Sequence, residues 1–313
     1  MAGSAGDNVA FDADAALRTA LAEVPQWRGL TVLHKRVNAG YTNYNYLLHV
    51  EEEGKTYFAK IAGPGTETFI NRKVAHEASV LSAECGVGPR VVHYIASKGL
   101  EVYEFLDGFR NFTIDDMRDP VVAGRIMRAY AKIHAGPPLA ETKTGFEQIR
   151  EHLEQVLRAA ADTPPALDSL LLRMEQAEKA IRAAGMRIAP CFNDCYVTNY
   201  MVNEDREVRI IDWEYGANND PYWDIASYFF ECFADAGMRH ELLCSYDPRA
   251  REAEENRVTL YIPLVCLKWG LWASLQSAIS SIPFDYLKYA DILFMRAQYL
   301  MSRQEWDRAL GSL

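Results

Sequence analysis

The hydrophobic periodicity of the chain changes once, near residue 106, and that change limits the fold more than any other feature. Before it, short apolar stretches rich in β-branched and aromatic residues lie between turn residues, the pattern of strands. They cover 30–37, 44–50 and 57–61, the last two joined by the polar turn Glu51-Glu52-Glu53-Gly54-Lys55. Residues 68–85 carry Ile70, Val74, Ala78 and Leu81 at helical spacing, and Gly86 and Gly88-Pro89 end that segment. Two more strands are predicted over 90–95 and 100–105, before the turn Asp107-Gly108. Beyond residue 106 helices dominate, over 114–134, 146–160 and 167–184, the last two separated by Pro164-Pro165. A hairpin of 199–202 and 207–211, turning at Asn203-Glu204-Asp205, interrupts them, and helical segments resume from Asp220. The expectation is an α+β chain with a small β-rich lobe over 1–105 and a larger, mainly helical lobe over 106–313. Such an arrangement suits a ligand cleft between lobes. The first dozen residues, rich in Gly, Ala and Asp, read as loose.

Charge and cysteine usage then remove several functions. With 33 Lys+Arg against 43 Asp+Glu, the net charge of −10 argues against a nucleic-acid partner and permits a cationic small molecule. The six cysteines form no C-x-x-C pair, so neither a zinc site nor a disulfide framework is indicated, and a cytoplasmic setting is expected. Residues 1–14 lack a signal-peptide pattern. The most apolar run, Tyr261 to Leu275, is short for a bilayer span and is interrupted by Lys268, so a buried helix is predicted rather than an integral membrane segment. Nothing fixes the oligomeric state, and a homodimer stays open.

Familiar site motifs fail on their spacing. Gly54-Lys55-Thr56 lacks the first glycine of a phosphate-binding P-loop, since His49 stands in its place. Gly63-Pro64-Gly65 lacks the third glycine of a dinucleotide fingerprint, and His76-Glu77 lacks the second histidine of a zinc-protease helix.

One constellation survives. In Cys191-Phe192-Asn193-Asp194-Cys195-Tyr196-Val197-Thr198-Asn199 an Asp precedes an Asn by five positions, and the hairpin returns as Arg209-Ile210-Ile211-Asp212-Trp213-Glu214. Phosphoryl transfer needs this set: Asp194 near the acceptor hydroxyl, with Asn199 and Asp212 on Mg²⁺. The hairpin folds Asp212 back toward Asn199. Upstream, Asn38-Ala39-Gly40-Tyr41-Thr42-Asn43 joins two strands, and its Gly40, Thr42 and Asn43 can present donors to phosphates. Lys60 lies on the next strand and Glu77 on the helix after it, in the order of the lysine that contacts the α/β-phosphates and its carboxylate partner. Tyr103-Glu104-Phe105-Leu106 ends the last strand, where the backbone around Glu104 and Leu106 can bind adenine.

From about residue 38 to 291 the sequence resembles the choline/ethanolamine kinases, within the aminoglycoside-phosphotransferase-like group of the protein-kinase-like fold. The resemblance rests on Asn71-Arg72 with Glu77, on Phe192-Asn193-Asp194 with Asn199, and on Ile211-Asp212-Trp213-Glu214-Tyr215 with Trp223-Asp224-Ile225 and Phe230-Glu231. Its most discriminating part is Lys268-Trp269-Gly270-Leu271-Trp272-Ala273 followed by residues 280–290. It implies an ATP- and Mg²⁺-dependent kinase for a small cationic amino alcohol, choline or ethanolamine. Trp269 and Trp272 inherit the ammonium pocket; three apart on a helix, they share a face, and indole faces attract ammonium groups. Tyr196 and Tyr215 are further candidates for that pocket, and Glu214 and Glu231 could add negative charge to it. Asp224 is expected to tie down the catalytic loop. Phe192 departs from the family, which has histidine there; it can keep the packing against Trp213 but not the hydrogen bond. Other hydroxyl acceptors (an aminoglycoside, methylthioribose, thiamine or a sugar) and a non-catalytic nucleotide binder remain the alternatives.

Overall fold

A computed structural model describes residues 11–37, 43–64, 66, 70–280 and 282–313. The chain divides into two compact units, Met1–Asp107 and Gly108–Leu313.

The first unit is built on a five-stranded antiparallel sheet. Its strands are β1 (Val32–Val37), β2 (Asn43–Val50), β3 (Lys55–Ala62), β4 (Val91–Ile95) and β5 (Leu100–Glu104), in the spatial order β1-β2-β3-β5-β4. β3 alternates: Tyr57, Ala59 and Ile61 are buried on one face, so Lys60 must point to the other, in register with Glu101 of β5. The tight turn before β5 depends on Gly99, whose φ is +59° and whose missing Cβ would lie 2.6 Å from the Ala62 Cβ. A helix not anticipated from sequence, α1 (Ala13–Leu21), packs Ala13, Leu17 and Ala20 into the core with Trp27, Tyr46, Leu48 and Val102. Asp12 caps it through the amides of Asp14 and Ala15. Its buried face is mostly alanine, and burying Leu17 alone contributes about 2 kcal/mol. The helix predicted from residue 68 starts later: α2 runs Arg72–Glu84, because Asn71 takes an extended conformation and accepts the Val74 amide as N-cap.

In the second unit the single helix predicted over 114–134 is two, α3 (Ile114–Arg118) and α4 (Pro120–His134). Asp119 adopts extended backbone, as residues before proline do, and caps α4 through the amides of Val121 and Val122. The helices α5 (Gly145–Arg158) and α6 (Leu167–Ala183) follow. Short strands are β6 (Arg110–Asn111), ahead of α3, and β7 (Ala189–Cys191), β8 (Tyr200–Val202), β9 (Val208–Ile210) and β10 (Ala217–Asn219) after α6. They form a β6-β8-β9 sheet and a β7-β10 pair. The helices α7 (Pro221–Cys232), α8 (Ala236–Tyr246), α9 (Glu252–Ile279), α10 (Tyr286–Met301) and α11 (Gln304–Ser312) complete the unit. By length and composition α9 could cross a membrane, yet most of its apolar stretch is buried within the fold, against α5, α7 and α10. At Gly270 the approach of α10 is close: an added Cβ would lie 2.9 Å from the Phe294 ring.

Candidate active site

The site in the second unit is organised by Asp224 of α7, which is fully buried. Its carboxylate accepts the amides of Phe192 (2.6 Å) and Asn193 (2.8 Å), and His134 of α4 lies 3.1 Å from the same group. These bonds fix the loop that leaves β7, as expected of Asp224. Asn193 sits at φ +65°, a region that Asn tolerates better than most residues. Its side chain is fully used: Nδ2 donates to the carbonyls of Tyr215 (3.1 Å) and Ala217 (3.3 Å), and Oδ1 accepts from Asn219 (2.8 Å). Phe192 is buried against Trp213, ring centroids 4.8 Å apart, so the packing expected at this departure from the family pattern is present.

Asp194 follows. Asn199 donates its amide nitrogen to the Asp194 carbonyl (3.2 Å) and Oδ2 (2.9 Å), which leaves Oδ1 as the atom it can offer a cation. The β8-β9 pairing places Tyr200 opposite Ile210, and the Ile211 amide bonds the Asn199 carbonyl at 2.9 Å. Asp212 comes next, at φ +65°. Burial pushes the Asp194 carboxyl well above the ordinary carboxylate range; the Lys268 ammonium opposes this, while Asp212 and Glu231 add to it. Carboxylate and amide oxygens are hard donors of the kind Mg²⁺ takes, so Asp212 and Asn199 fit that ion by chemistry.

The aromatic pair lies on α9. Trp269 and Trp272 have ring centroids 5.8 Å apart at 81°, and Tyr215 meets Trp269 edge-on at 6.3 Å. Tyr286, which the sequence did not single out, extends the row beyond Trp272 at 5.9 Å. Tyr196 is exposed, and Glu214 is half-buried next to Tyr215 in sequence. Glu231 has another task in this geometry: one oxygen accepts the Val197 amide at 3.0 Å and so supports the loop between Asp194 and Asn199. Burial raises its carboxyl, against the pull of that amide and of Arg296.

In the first unit, Lys60 stands on β3 with its Nζ 6.0 Å from the Tyr103 ring centroid, and Glu77 stands on α2. Beside it, His76 stacks on Tyr94 and pairs with Glu101 at 2.7 Å. Asn43 opens β2 and accepts from Arg72 at 3.1 Å, a link from α2 to the start of β2. Gly40 and Thr42 themselves lie outside the described residues. Glu104 closes β5 with its carboxylate on the Arg90 amide at 2.9 Å, and Leu106 is half-buried two residues on.

The family model of choline/ethanolamine kinase matches residues 34–258. The chain belongs to the choline/ethanolamine kinase family. It is 26% identical over 260 residues to a probable choline kinase 2 of Arabidopsis thaliana, covering 74% of this chain and 73% of that protein. To ethanolamine kinase 2 of Rattus norvegicus it is 25% identical over 323 residues, covering 91% of this chain and 82% of that one. The crystal structure of a choline/ethanolamine kinase family protein from Mesorhizobium loti matches with a TM-score of 0.81 at 26% identity, over 96% of this chain and 99% of that chain. The chain is therefore a kinase of this family, with the fold that choline kinases share with aminoglycoside phosphotransferases. Spacing and the hairpin pointed to Asp194, Asn199 and Asp212, and family resemblance to the tryptophans, but three residues that assemble the site drew no prediction. Asn193 and His134 act only through partners distant in sequence. Lys268 did leave a signal, a charge inside the apolar run of α9, and it registered there only as an interruption.

Proposed function

We propose that this kinase transfers a phosphoryl group from ATP, with Mg²⁺, to the hydroxyl of a small amino alcohol, choline first and ethanolamine next. One observation carries the reading: α9 links the Asp194 loop to the aromatic pair, since Lys268 Nζ reaches the Asn193 carbonyl at 3.1 Å and lies 3.8 Å from the Trp269 ring centroid. A hydroxyl at Asp194 and an ammonium at the tryptophans are the two ends of an amino alcohol. Asp194 orients the hydroxyl and takes its proton. Asn199 and Asp212 hold Mg²⁺, which neutralises charge on the phosphates. Lys60, with Glu77, holds the α/β-phosphates, and the backbone around Glu104 and Leu106 receives the adenine. Tyr215 and Tyr196 flank the acceptor, with Glu214 and Glu231 adding negative charge nearby. All six cysteines are free, which supports a reducing, cytoplasmic setting.

The test is ADP release with choline, ethanolamine, an aminoglycoside, methylthioribose and thiamine in parallel. Choline or ethanolamine must give the highest kcat/KM; a sugar or aminoglycoside ahead of both would overturn the assignment. Within that assay Trp272→Ala is expected to raise the choline KM by roughly tenfold, the loss of a desolvated cation–π contact, with the ATP KM unchanged. Trp269→Ala should cost less, because the chain's own Lys268 ammonium already lies against that ring. Equal small changes in both KM values would make the pair ordinary core.

A further inference from the structure

Lys268 is a cation in a place where an apolar side chain would be cheaper. It is 1% exposed, within the apolar stretch of α9. Burying an ammonium is costly unless the charge is paired and hydrogen-bonded. Its surroundings are arranged to hold it nonetheless. Nζ donates to the Asn193 carbonyl at 3.1 Å, lies 3.8 Å from the Trp269 ring centroid and 5.4 Å from that of Tyr215. The carboxylates of Asp194 and Asp224 favour its charged form, while burial and Lys143 oppose it.

The carbonyl it grips is a particular one. Asn193 immediately precedes Asp194 and sits at φ +65°, with its amide tied to Asp224 and its side chain to Tyr215, Ala217 and Asn219. Lys268 therefore secures the remaining polar group of that residue, the carbonyl of the peptide that carries the Asp194 nitrogen. It is also the positive charge that most strongly offsets the burial of Asp194.

We propose that Lys268 is a positioning residue for phosphoryl transfer: it anchors the Asn193 carbonyl to α9 and so aims the Asp194 carboxylate at the acceptor hydroxyl. This rests on the reading of Asp194 as the group that handles the hydroxyl. The proton still passes from the hydroxyl to Asp194, and Lys268 exchanges none. A side chain that served only packing would be replaced by methionine without effect, since the two are unbranched and similar in length.

The experiment compares wild type, Lys268→Met, Lys268→Arg and Asp194→Asn in steady-state ADP release, with ATP and the best acceptor of the screen, alongside thermal melting. Lys268→Met strands the buried Asn193 carbonyl and so should melt below wild type while remaining folded, and it should lose kcat by roughly 30- to 100-fold, the scale of an ångström-sized misplacement, with the ATP KM within about twofold. Lys268→Arg, which keeps the charge and a donor, should recover most of kcat. Wild-type kcat in Lys268→Met alongside an inactive Asp194→Asn overturns this inference alone, whereas a fully active Asp194→Asn overturns the reading beneath it. If Lys268→Met does not fold, Lys268→Leu is judged by the same two outcomes.

Discussion

Asp194→Asn is expected to lower kcat by about 10³-fold, at the middle of the range for a positioned general base, and to leave ATP affinity within about twofold. The substitution is nearly isosteric. An asparagine oxygen at 194 can still accept from Asn199, so the hydrogen bond of 2.9 Å and the loop survive. What disappears is the anion proposed to receive the hydroxyl proton. The same change removes a desolvated carboxylate but also the counter-charge of the buried Lys268, so the Tm should stay within a few degrees of wild type. Single-turnover ADP release, nucleotide titration and melting check the three parts separately. Wild-type turnover in a folded Asp194→Asn protein would mean that another group does the chemistry.

Asp224→Ala is expected to act on stability as strongly as Asp194→Asn acts on rate. The substitution strands the amides of Phe192 and Asn193 in a buried site and removes the partner that His134 faces at 3.1 Å. Losing one member of a buried charged network costs about 3–5 kcal/mol, which for a chain of this size corresponds to a Tm lower by roughly 10 °C. Asp224→Asn should fall between, because an amide has one oxygen for two N–H donors and turns its own N–H toward one of them. Turnover should fall in both, since the loop carrying Asp194 loses its anchor. A melting curve of Asp224→Ala within about 2 °C of wild type would show that water or a relaxed backbone satisfies those amides, and would remove Asp224 from its organising role.

What the sequence revealed about this site followed the range over which each interaction acts. Asn199 and Ile211 are joined across a hairpin of local connections, so the return of Asp212 was legible from turn residues and alternation alone. Asp119-Pro120 was equally local yet missed: proline restricts the residue before it, and the break between α3 and α4 follows from that rule, but the apolar spacing runs straight through and predicted one helix. The pairing of β7 with β10 was not legible, because two strands of three residues each meet across a wide sequence gap and contain Pro190 and two asparagines. Glu231 was read for its charge, whereas its geometry is that of a backbone acceptor for Val197. Glu104 likewise shows a carboxylate committed to Arg90, which says nothing against a backbone role at that strand end. Composition describes which groups are available; only the folded chain assigns their hydrogen-bonding partners.

The backbone at Asp212 has a consequence for anyone who evolves this protein in the laboratory. Its φ of +65° belongs to the conformation that glycine enters without steric conflict. Selection for heat resistance that ignores turnover should therefore find Asp212→Gly acceptable, with a Tm equal to or above the parent, and the library would lose the carboxylate proposed to hold Mg²⁺ while appearing improved. Measuring Mg²⁺-dependent ADP release on such survivors separates the two properties. Position 212 is thus a point at which durability and the proposed catalysis would select opposite residues.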